Sequence, residues 1–531
     1  MRTEKKSSIK NSATRLILIG LLVLIQTGWM IFLMMKLNTY STAITLLLTF
    51  IAMFIALKIF GTHVNAAQKM PWLIVITAVP FFGICIYLLF GRSIVTKGVR
   101  RSFNNIETNV LTLLKQDNGI IDDIASKDKG VANQCRYISN TARYPVYSNT
   151  DVKYYPTTDV SFEAQLVELE KAEHFIFMEY HAIEDAESFA RLKHILENKA
   201  QSGVEVRIFY DDLGSIFFLN KEFIKQMRQK GIQCRVFNPL KVIVNMFMNN
   251  RDHRKITVID GKVGFTGGYN LADEYFNITH PYGYWKDTGI KLQGDAVKSL
   301  TASFLTMWNA IEHTDNDYNK YLDATDGTYK AVMKDCYVQP YSDNPLGQDR
   351  IGEDVYLNIL KNAKDYVYIT TPYLIITDEM ERELRLAVKR GVDVRIVTPG
   401  IPDKKLVYRI TRSYYEPLCS AGVRIYEYTP GFCHAKQWVC DDEVSVVGTI
   451  NMDYRSLYLH FENAVFIYNK ATALSVKQDM LNNFEAGHEV TADYAKDVIK
   501  PLRLGVCMLR MISPLSVSYT HLRAHETVLD L

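Results

Sequence analysis

One sequence pattern occurs twice in this chain and constrains its fold more than any other feature. The pattern is H-x-K-x4-D, read once in "DHRKITVIDGKVGFTGGYN" (252–270) and once in "CHAKQWVCDDEVSVVGTIN" (433–451). A Gly and an Asn follow the histidine at the same distances in both copies. With 12 histidines in the chain and ordinary usage of Lys and Asp, chance predicts roughly 0.04 matches. The pattern therefore indicates a duplicated domain.

Each motif follows a strand, a helical stretch and a second strand. The strand segments are "AEHFIFMEYHAIED" (172–185), "SGVEVRIFYDDLGS" (202–215), "AKDYVYITTPYLIITD" (363–378) and "GVDVRIVTPG" (391–400). This order is typical of βαβ units. We predict an α/β fold with two similar α/β domains, residues 140–320 and 330–515, related by a pseudo-two-fold axis.

Local structure explains the spacing inside the motif. In "HRKITVID" polar and aliphatic residues alternate, so His253 and Lys255 project from one face of a strand while Ile256 and Val258 face the core. The segments beginning at Asp260 and Asp441 are typical of tight turns into a second strand. A lone histidine on a strand is more often structural, and we interpret His174, His181 and His313 that way. The repeated polar set distinguishes His253 and His434 from them.

The residue types in the motif suit attack on a phosphodiester. A lysine supplies positive charge for phosphoryl oxygens. One histidine can attack phosphorus and the other can transfer the proton. Metal binding is the rival interpretation, but it needs converging His, Asp or Cys ligands, which a lysine between them would oppose. The chain also lacks a G-x-x-x-x-G-K-[ST] nucleotide loop. We therefore expect no metal and no cofactor.

The first hundred residues are distinguished by three apolar runs. These are "LILIGLLVLIQTGWMIFLMM" (16–35), "TAITLLLTFIAMFIAL" (42–57) and "WLIVITAVPFFGICIYLLF" (72–90). The first is long enough to span a bilayer, and it lacks the small-residue cleavage site of a signal peptide. We predict that residues 1–100 anchor the protein in a membrane through two or three transmembrane helices.

Composition excludes other classes of protein. The 531-residue chain has a net charge of only +3, so nucleic acid is not an expected partner. Its eight cysteines include no C-x-x-C pair, which argues against a zinc ribbon or a disulfide framework and favours buried free thiols. Near the C-terminus, "VSYTHLRAHET" (517–527) resembles a translated sequencing-library adapter, so we interpret residues 517–531 as an artefact and exclude them.

The paired motifs resemble those of the phospholipase D superfamily, and their surroundings are similar to bacterial cardiolipin synthases. The similar segments are "YDDLGS" (210–215), "GGYNLADEY" (267–275), "GYWKDTG" (283–289), "YYEPLCSAGVRIYEYTPGFCHAK" (414–436), "GTINMDYRSLYLHFEN" (448–463) and "PWLIVITAVPFFGICIYLLFGR" (71–92). The resemblance covers most of the chain, from about residue 70 to about residue 515. One departure is His460, which stands where an Asn is expected in "L-N-F-E".

The resemblance implies a reaction and a set of residues. Two phosphatidylglycerols would give cardiolipin and glycerol through a phosphatidyl-histidine, at the membrane of a bacterial cell in a multi-pass protein. The catalytic motifs match at His253, Lys255, Asp260, His434, Lys436 and Asp441. Asn270 and Asn451 match polar residues that line the phosphate site. We favour His253 as the nucleophile.

A nucleophilic imidazole also needs a hydrogen-bond partner on its far nitrogen, and a carboxylate is the usual one. Each half carries a carboxylate after its Asn: Asp287 in the first and Glu462 in the second. Chain order assigns Asp287 to His253 and Glu462 to His434, and we predict that both carboxylates support the site.

Other functions of the same scaffold stay open at this point. One is a different membrane-bound phosphatidyltransferase, or a hydrolase or nuclease. The other is a non-catalytic lipid-binding protein. The low net charge argues against a nuclease, and the complete motifs in both halves argue against a protein without catalysis.

Overall fold

A computed structural model of the protein describes residues 42–62, 65–88, 97–239, 250–324 and 329–495, with single residues and short pieces between 21 and 36 and between 505 and 511. The excluded segment 517–531 lies outside the described residues. All seven cysteines in the described part are free, and six of them are buried. The expectation of buried free thiols is therefore confirmed for this part of the chain.

Three helices form the first described region: α1 (Thr42–Phe60), α2 (Ala66–Ala78) and α3 (Pro80–Ile86). The run 72–90 is not one straight helix, because Pro80 has no N–H to donate and disfavours a helical conformation of Val79. Val79 has φ −136° and ψ 79°. Beyond it α3 folds back on α2 so closely that a Cβ on Gly83 would lie 2.4 Å from the carbonyl oxygen of Val75.

No helix in the described ranges combines the length and the apolar character needed to cross a membrane. The predicted transmembrane helices over 42–57 and 72–90 therefore receive no support from the structure. The first predicted span, 16–35, lies largely outside the described residues.

Short helices lead from this region into the first large sheet. They are α4 (Lys97–Leu111), α5 (Asn118–Lys127), α6 (Lys129–Tyr137) and a π-helical turn (Ile138–Ala142).

The first sheet has seven strands in the order β1-β9-β7-β6-β2-β3-β4. Strands β2, β3 and β4 are parallel to one another, and β6 pairs with β2 in the antiparallel direction. The strands are β1 (Thr150–Tyr155), β2 (Phe175–Tyr180), β3 (Glu205–Asp211), β4 (Gln233–Phe237), β6 (Lys255–Ile259), β7 (Val263–Gly267) and β9 (Gly289–Gly294). The helices of this half are α7 (Thr158–Leu169), α8 (Glu187–Gln201), α9 (Lys221–Gln229), α10 (Val297–Ile311) and α11 (Asn319–Leu322).

The second half repeats this strand order as β10-β19-β17-β16-β11-β13-β14, with β20 added at the edge. Its strands are β10 (Tyr337–Asp343), β11 (Tyr366–Thr370), β13 (Asp393–Pro399), β14 (Arg424–Tyr428), β16 (Gln437–Cys440), β17 (Val444–Gly448), β19 (His460–Tyr468) and β20 (Gly487–Glu489). Its helices are α12 (Ile351–Asn362), α13 (Asp378–Lys389), α14 (Lys405–Ser413), α15 (Tyr415–Cys419), α16 (Tyr454–Tyr458), α17 (Lys470–Ala486) and α18 (Thr491–Tyr494). The prediction of two similar α/β domains is confirmed.

The turns inside the motifs also have the predicted form. In each half the motif strand and the next strand form an antiparallel hairpin. Two consecutive residues with positive φ make each turn: Asp260 (51°) with Gly261 (64°), and Asp441 (51°) with Asp442 (59°). Such turns match the right-handed twist of the strands they join.

Short parallel strand pairs join the two halves. Strand β5 (Arg251–Asp252) pairs with the start of β19, and β8 (Tyr284–Lys286) pairs with β15 (Gly431–Cys433). A further short pair, β12 (Leu374–Ile375) with β18 (Met452–Asp453), lies within the second half. At each of the two junctions, the residue before a motif histidine pairs with a strand of the other half. Each histidine is thereby placed next to residues of the other half.

Candidate active site

The two H-x-K motifs meet where the exchanged strands join. His253 directly follows β5 and its backbone N–H donates to the carbonyl of Phe461 at 2.9 Å; His434 follows β15 and donates to the carbonyl of Lys286 at 2.7 Å. Both histidines and both motif lysines are buried. The charges of Lys436 and His434 act on His253, so the polar ends of the two motifs share one centre.

Each histidine is held by the carboxylate of the opposite half. Nδ1 of His253 lies 3.0 Å from both carboxylate oxygens of Glu462, and Nδ1 of His434 lies 2.6 Å from Oδ2 of Asp287. Chain order assigned these partners the other way round, and that assignment is wrong. The reason is topological: the short strand before each histidine pairs with the strand of the other half that contains, or directly precedes, the carboxylate.

The two carboxylates are fixed by different neighbours. Glu462 accepts hydrogen bonds from the hydroxyls of Thr449 and Ser456, the latter at 2.7 Å. Asp287 accepts one from the backbone N–H of Thr288 at 2.9 Å. Gly268 occupies the position equivalent to Thr449, and a Cβ there would lie 2.0 Å from Oδ1 of Asp287. Because the side chain of Asp287 is shorter than that of Glu462, its carboxylate lies against the backbone of residue 268, where only glycine leaves room for it.

Burial sets the protonation of the motif residues. It lowers the pKa of His434 to about 4, with Lys436 as a second cause, and it holds the pKa of His253 well below the usual range. It also lowers the pKa of Lys255 to about 7 and that of Lys436 to about 8. Because the carboxylates occupy Nδ1 in both imidazoles, Nε2 of each neutral ring is left for chemistry. An anion entering between the lysines would supply counter-charge and favour their protonated forms.

The motif aspartates lie at the other end of their hairpins. Asp260 accepts hydrogen bonds from the backbone N–H groups of Glu173, His174 and Phe175, each at 2.8 Å. It lies five positions along the chain from Lys255, a distance of roughly 16 Å in an extended strand. Asp441 binds three consecutive backbone N–H groups, those of residues 364–366, in the same way. The motif resemblance groups both aspartates with the catalytic residues, but in the structure their carboxylates bind backbone N–H groups away from the histidines.

This placement yields a prediction about stability. Replacing Asp260 or Asp441 by alanine removes the acceptor for three N–H groups and is expected to lower the free energy of unfolding by about 2 kcal/mol. Turnover per folded molecule should change by less than about twofold, far below the effect of a lost general acid or base. Thermal unfolding and active-site-normalised rates measure the two effects. Lost turnover with an unchanged unfolding temperature would place these aspartates in the chemistry after all.

The motif asparagines are buried close to the centre. Asn270 accepts from the N–H of Ala182 at 3.1 Å and donates to the hydroxyl of Tyr275 at 2.8 Å. Oδ1 of Asn451 has no hydrogen-bond partner among the described residues. Their role in lining a phosphate site stays a prediction.

Several neighbours of the histidines were not expected from the sequence. His181, interpreted as structural, packs edge-on against His253 with ring centroids 5.1 Å apart. His460 packs against the same ring at 5.2 Å, and Arg455 donates to His460. His434 is surrounded instead by aromatic rings, those of Tyr275, Trp285 and Phe432. The position of His181 at the carboxyl end of β2 was an available signal, because sites in α/β sheets form at that edge.

One group of side chains has the spacing of metal ligands. Donor atoms of His253, His460 and Glu462 lie within 4.8 Å of one another. These donors are engaged with each other and with Arg455. The positive charges of Lys255 and Arg455 act on His253. Both positive charges would repel a divalent cation, so this group of side chains does not favour a metal.

Comparison with known proteins places this arrangement in a family. The model "Cardiolipin synthase, PLD-like domain" matches residues 166–308 and 356–486, and "Phospholipase_D-nuclease N-terminal" matches residues 47–92. An uncharacterized protein of Streptococcus mutans is 39% identical over 463 residues, covering 86% of this chain and 99% of the relative. A cardiolipin synthase of Geobacillus thermodenitrificans is 33% identical over 488 residues, covering 90% and 94%.

One solved structure supports the fold. The crystal structure of phosphatidylserine synthase from Haemophilus influenzae matches with a TM-score of 0.53 at 13% identity, covering 72% of this chain and 98% of that one. At this identity the likeness concerns the fold alone.

Proposed function

From the premise that the chain belongs to the phospholipase D-like cardiolipin synthase family, we infer that it is a phosphatidyltransferase that makes cardiolipin. The observation that carries this proposal is the pair of buried H-x-K motifs, each with its imidazole bound to a carboxylate of the opposite half. Two such imidazoles beside two lysines supply a nucleophile, a proton carrier and positive charge for one phosphoryl group.

The proposed first step is attack by Nε2 of His253 on the phosphorus of phosphatidylglycerol. A P–N bond forms, the P–O bond to glycerol breaks, and His434 donates its proton to the departing glycerol oxygen. Neutral His253 has the lone pair for attack, because burial holds its pKa low. For this step His434 must be protonated: burial lowers its pKa and outweighs the opposite effect of Asp287 at 2.6 Å, and the bound phosphate anion would supply the further negative charge that favours the imidazolium.

In the second step the P–N bond breaks, and His434 accepts a proton instead of donating one. The primary hydroxyl of a second phosphatidylglycerol gives its proton to His434 and attacks phosphorus, which breaks the P–N bond and releases cardiolipin. Lys255 and Lys436 stabilise the charge on the phosphoryl oxygens in both steps. We further propose that Asn270 and Asn451 help to line the phosphate site.

Phosphatidylglycerol radiolabelled in its phosphate and, separately, in its head-group glycerol tests the proposal. Purified protein in neutral-detergent micelles is expected to give cardiolipin and free glycerol in equal amounts, also in excess EDTA. Phosphatidic acid as the main product would identify a hydrolase. Loss of turnover in EDTA that one divalent ion restores would reject the metal-independent mechanism.

Membrane attachment through residues 1–100 is part of the same proposal. Large apolar side chains of α1 are exposed: Phe50, Phe54 and Phe60 have relative exposures of 67%, 66% and 72%. Lipid around them would bury this surface, and the substrate is itself a phospholipid. The topology of a multi-pass protein of the bacterial cell membrane remains a prediction.

Extraction experiments test the attachment. Membranes containing the full-length protein are expected to retain it in high salt and in alkaline carbonate, because apolar burial is insensitive to both treatments. Release by salt alone would indicate electrostatic attachment, and release by carbonate would contradict apolar insertion.

A further inference from the structure

His460 begins strand β19 two residues before Glu462. Residues two apart on a strand project from the same face, so this imidazole lies beside the carboxylate that holds His253. We propose that His460 is a positioning residue: Arg455 fixes its tautomer so that its Nδ1–H points to Glu462 and orients the His253 partner. The proposal rests on the proposed function, because it assigns His253 a part in the reaction.

The contact with Arg455 determines which nitrogen carries the proton. Nε of Arg455 donates to Nε2 of His460 at 2.5 Å, and both side chains are buried. A guanidinium is always protonated and only donates. Nε2 is therefore the acceptor, and in a neutral ring the proton lies on Nδ1. Burial holds the pKa of His460 well below the usual range, which agrees with a neutral ring.

Nδ1 of His460 faces Oε1 of Glu462 across 3.4 Å, an ion-pair separation longer than the 2.7 Å hydrogen bond that the same oxygen accepts from Ser456. The same oxygen is 3.0 Å from Nδ1 of His253 and accepts from the hydroxyl of Ser456. These groups fix the rotation of the carboxylate about its last bond. The Arg455–His460 pair also extends positive charge toward the carboxylate, which would otherwise draw the Nδ1 proton away from His253.

The equivalent position in the other half shows what this arrangement adds. Trp285 lies two residues before Asp287 and packs on His434 with ring centroids 5.2 Å apart, the same separation as His460 and His253. A flat ring against the catalytic imidazole is thus common to both halves. The donor to the carboxylate and its arginine occur on the His253 side, and they distinguish the two histidines.

Three substitutions separate the roles that His460 combines. His460→Asn keeps an N–H near the position of Nδ1 and loses the acceptor for Arg455. His460→Gln places its amide near Nε2, so it keeps an acceptor for Arg455 and loses the donor to Glu462. His460→Phe keeps the flat ring and loses both nitrogens. All three are compared at equal folded fraction, established by thermal unfolding.

The readout is release of p-nitrophenol in the first turnover of phosphatidyl-p-nitrophenol. This leaving group needs no proton, so its release reports attack on phosphorus whatever alcohol later accepts the phosphatidyl group. His460→Asn is expected to stay within about threefold of the unsubstituted protein. His460→Gln and His460→Phe should lose about tenfold or more in rate, with little change in the substrate concentration for half-maximal rate.

Any other order overturns the proposal. Full activity in His460→Phe would show that only the packing of the ring matters. Activity in His460→Gln with none in His460→Asn would show that His460 acts as the acceptor for Arg455. An equal loss of rate in all three variants would show that the Nδ1–H of His460 has no specific role. The unsubstituted protein is assayed in parallel with phosphatidylglycerol: failure to form cardiolipin rejects the proposed function, whereas the order of the three variants tests His460 separately.

Discussion

Replacing His253 or His434 by alanine is expected to lower turnover on the order of 10³-fold or more, because each removes a group that forms or breaks a bond to the reacting atoms. The buried Nε2 atoms of these rings have no substitute: the lysines beside them supply charge but cannot take over both attack and proton transfer. Cardiolipin formation from labelled phosphatidylglycerol measures the loss. His313→Ala is the matched control, since His313 is exposed and outside the site.

The two alanine variants are expected to differ in one respect. His434→Ala should release p-nitrophenol from phosphatidyl-p-nitrophenol and accumulate a phosphatidyl adduct on His253, because attack needs no proton but the second step lacks its base. His253→Ala should form no adduct. Mass spectrometry of the digested protein locates the adduct. An adduct on His434 would exchange the two roles, and robust cardiolipin synthesis by either variant would reject the two-histidine mechanism.

Glu462→Gln and Asp287→Asn are each expected to lower turnover about 100-fold or more without unfolding the protein. The amides are close in shape to the carboxylates but cannot stabilise an imidazolium, and they no longer select the tautomer with the proton on Nδ1. Steady-state rates and thermal unfolding separate chemistry from stability. Asp159→Asn and Glu170→Gln, both exposed, are the matched controls. Ordinary turnover in both active-site variants would remove the carboxylates from the mechanism.

The crossed pairing can be tested in the His434→Ala background. Adduct formation there depends on His253, whose partner is Glu462. Adding Glu462→Gln should slow the adduct strongly, whereas adding Asp287→Asn should change its rate little, because the ring that Asp287 holds is already absent. The opposite result would support the pairing that chain order suggested.

The sequence by itself determined the repeated α/β domain and the residues at the centre of the site. Alternating polarity places His253 and Lys255 on one face of a strand, and the same residues recur at the same spacing around His434. Strand faces and tight turns are local properties, set by side-chain alternation and backbone conformation over a few residues. Both hairpins could therefore be predicted, and the sheets contain them.

Tertiary structure decided which residues act on which. Asp260 belongs to the motif in sequence, yet its carboxylate binds the backbone at the start of β2. Glu462 follows His434 in the chain, yet it holds His253. Both outcomes depend on contacts between segments far apart in sequence. For the carboxylates, the pairs β5 with β19 and β8 with β15 bring strands of the two halves together. A sequence pattern specifies the face from which a side chain projects, but packing of the two halves determines what that face meets.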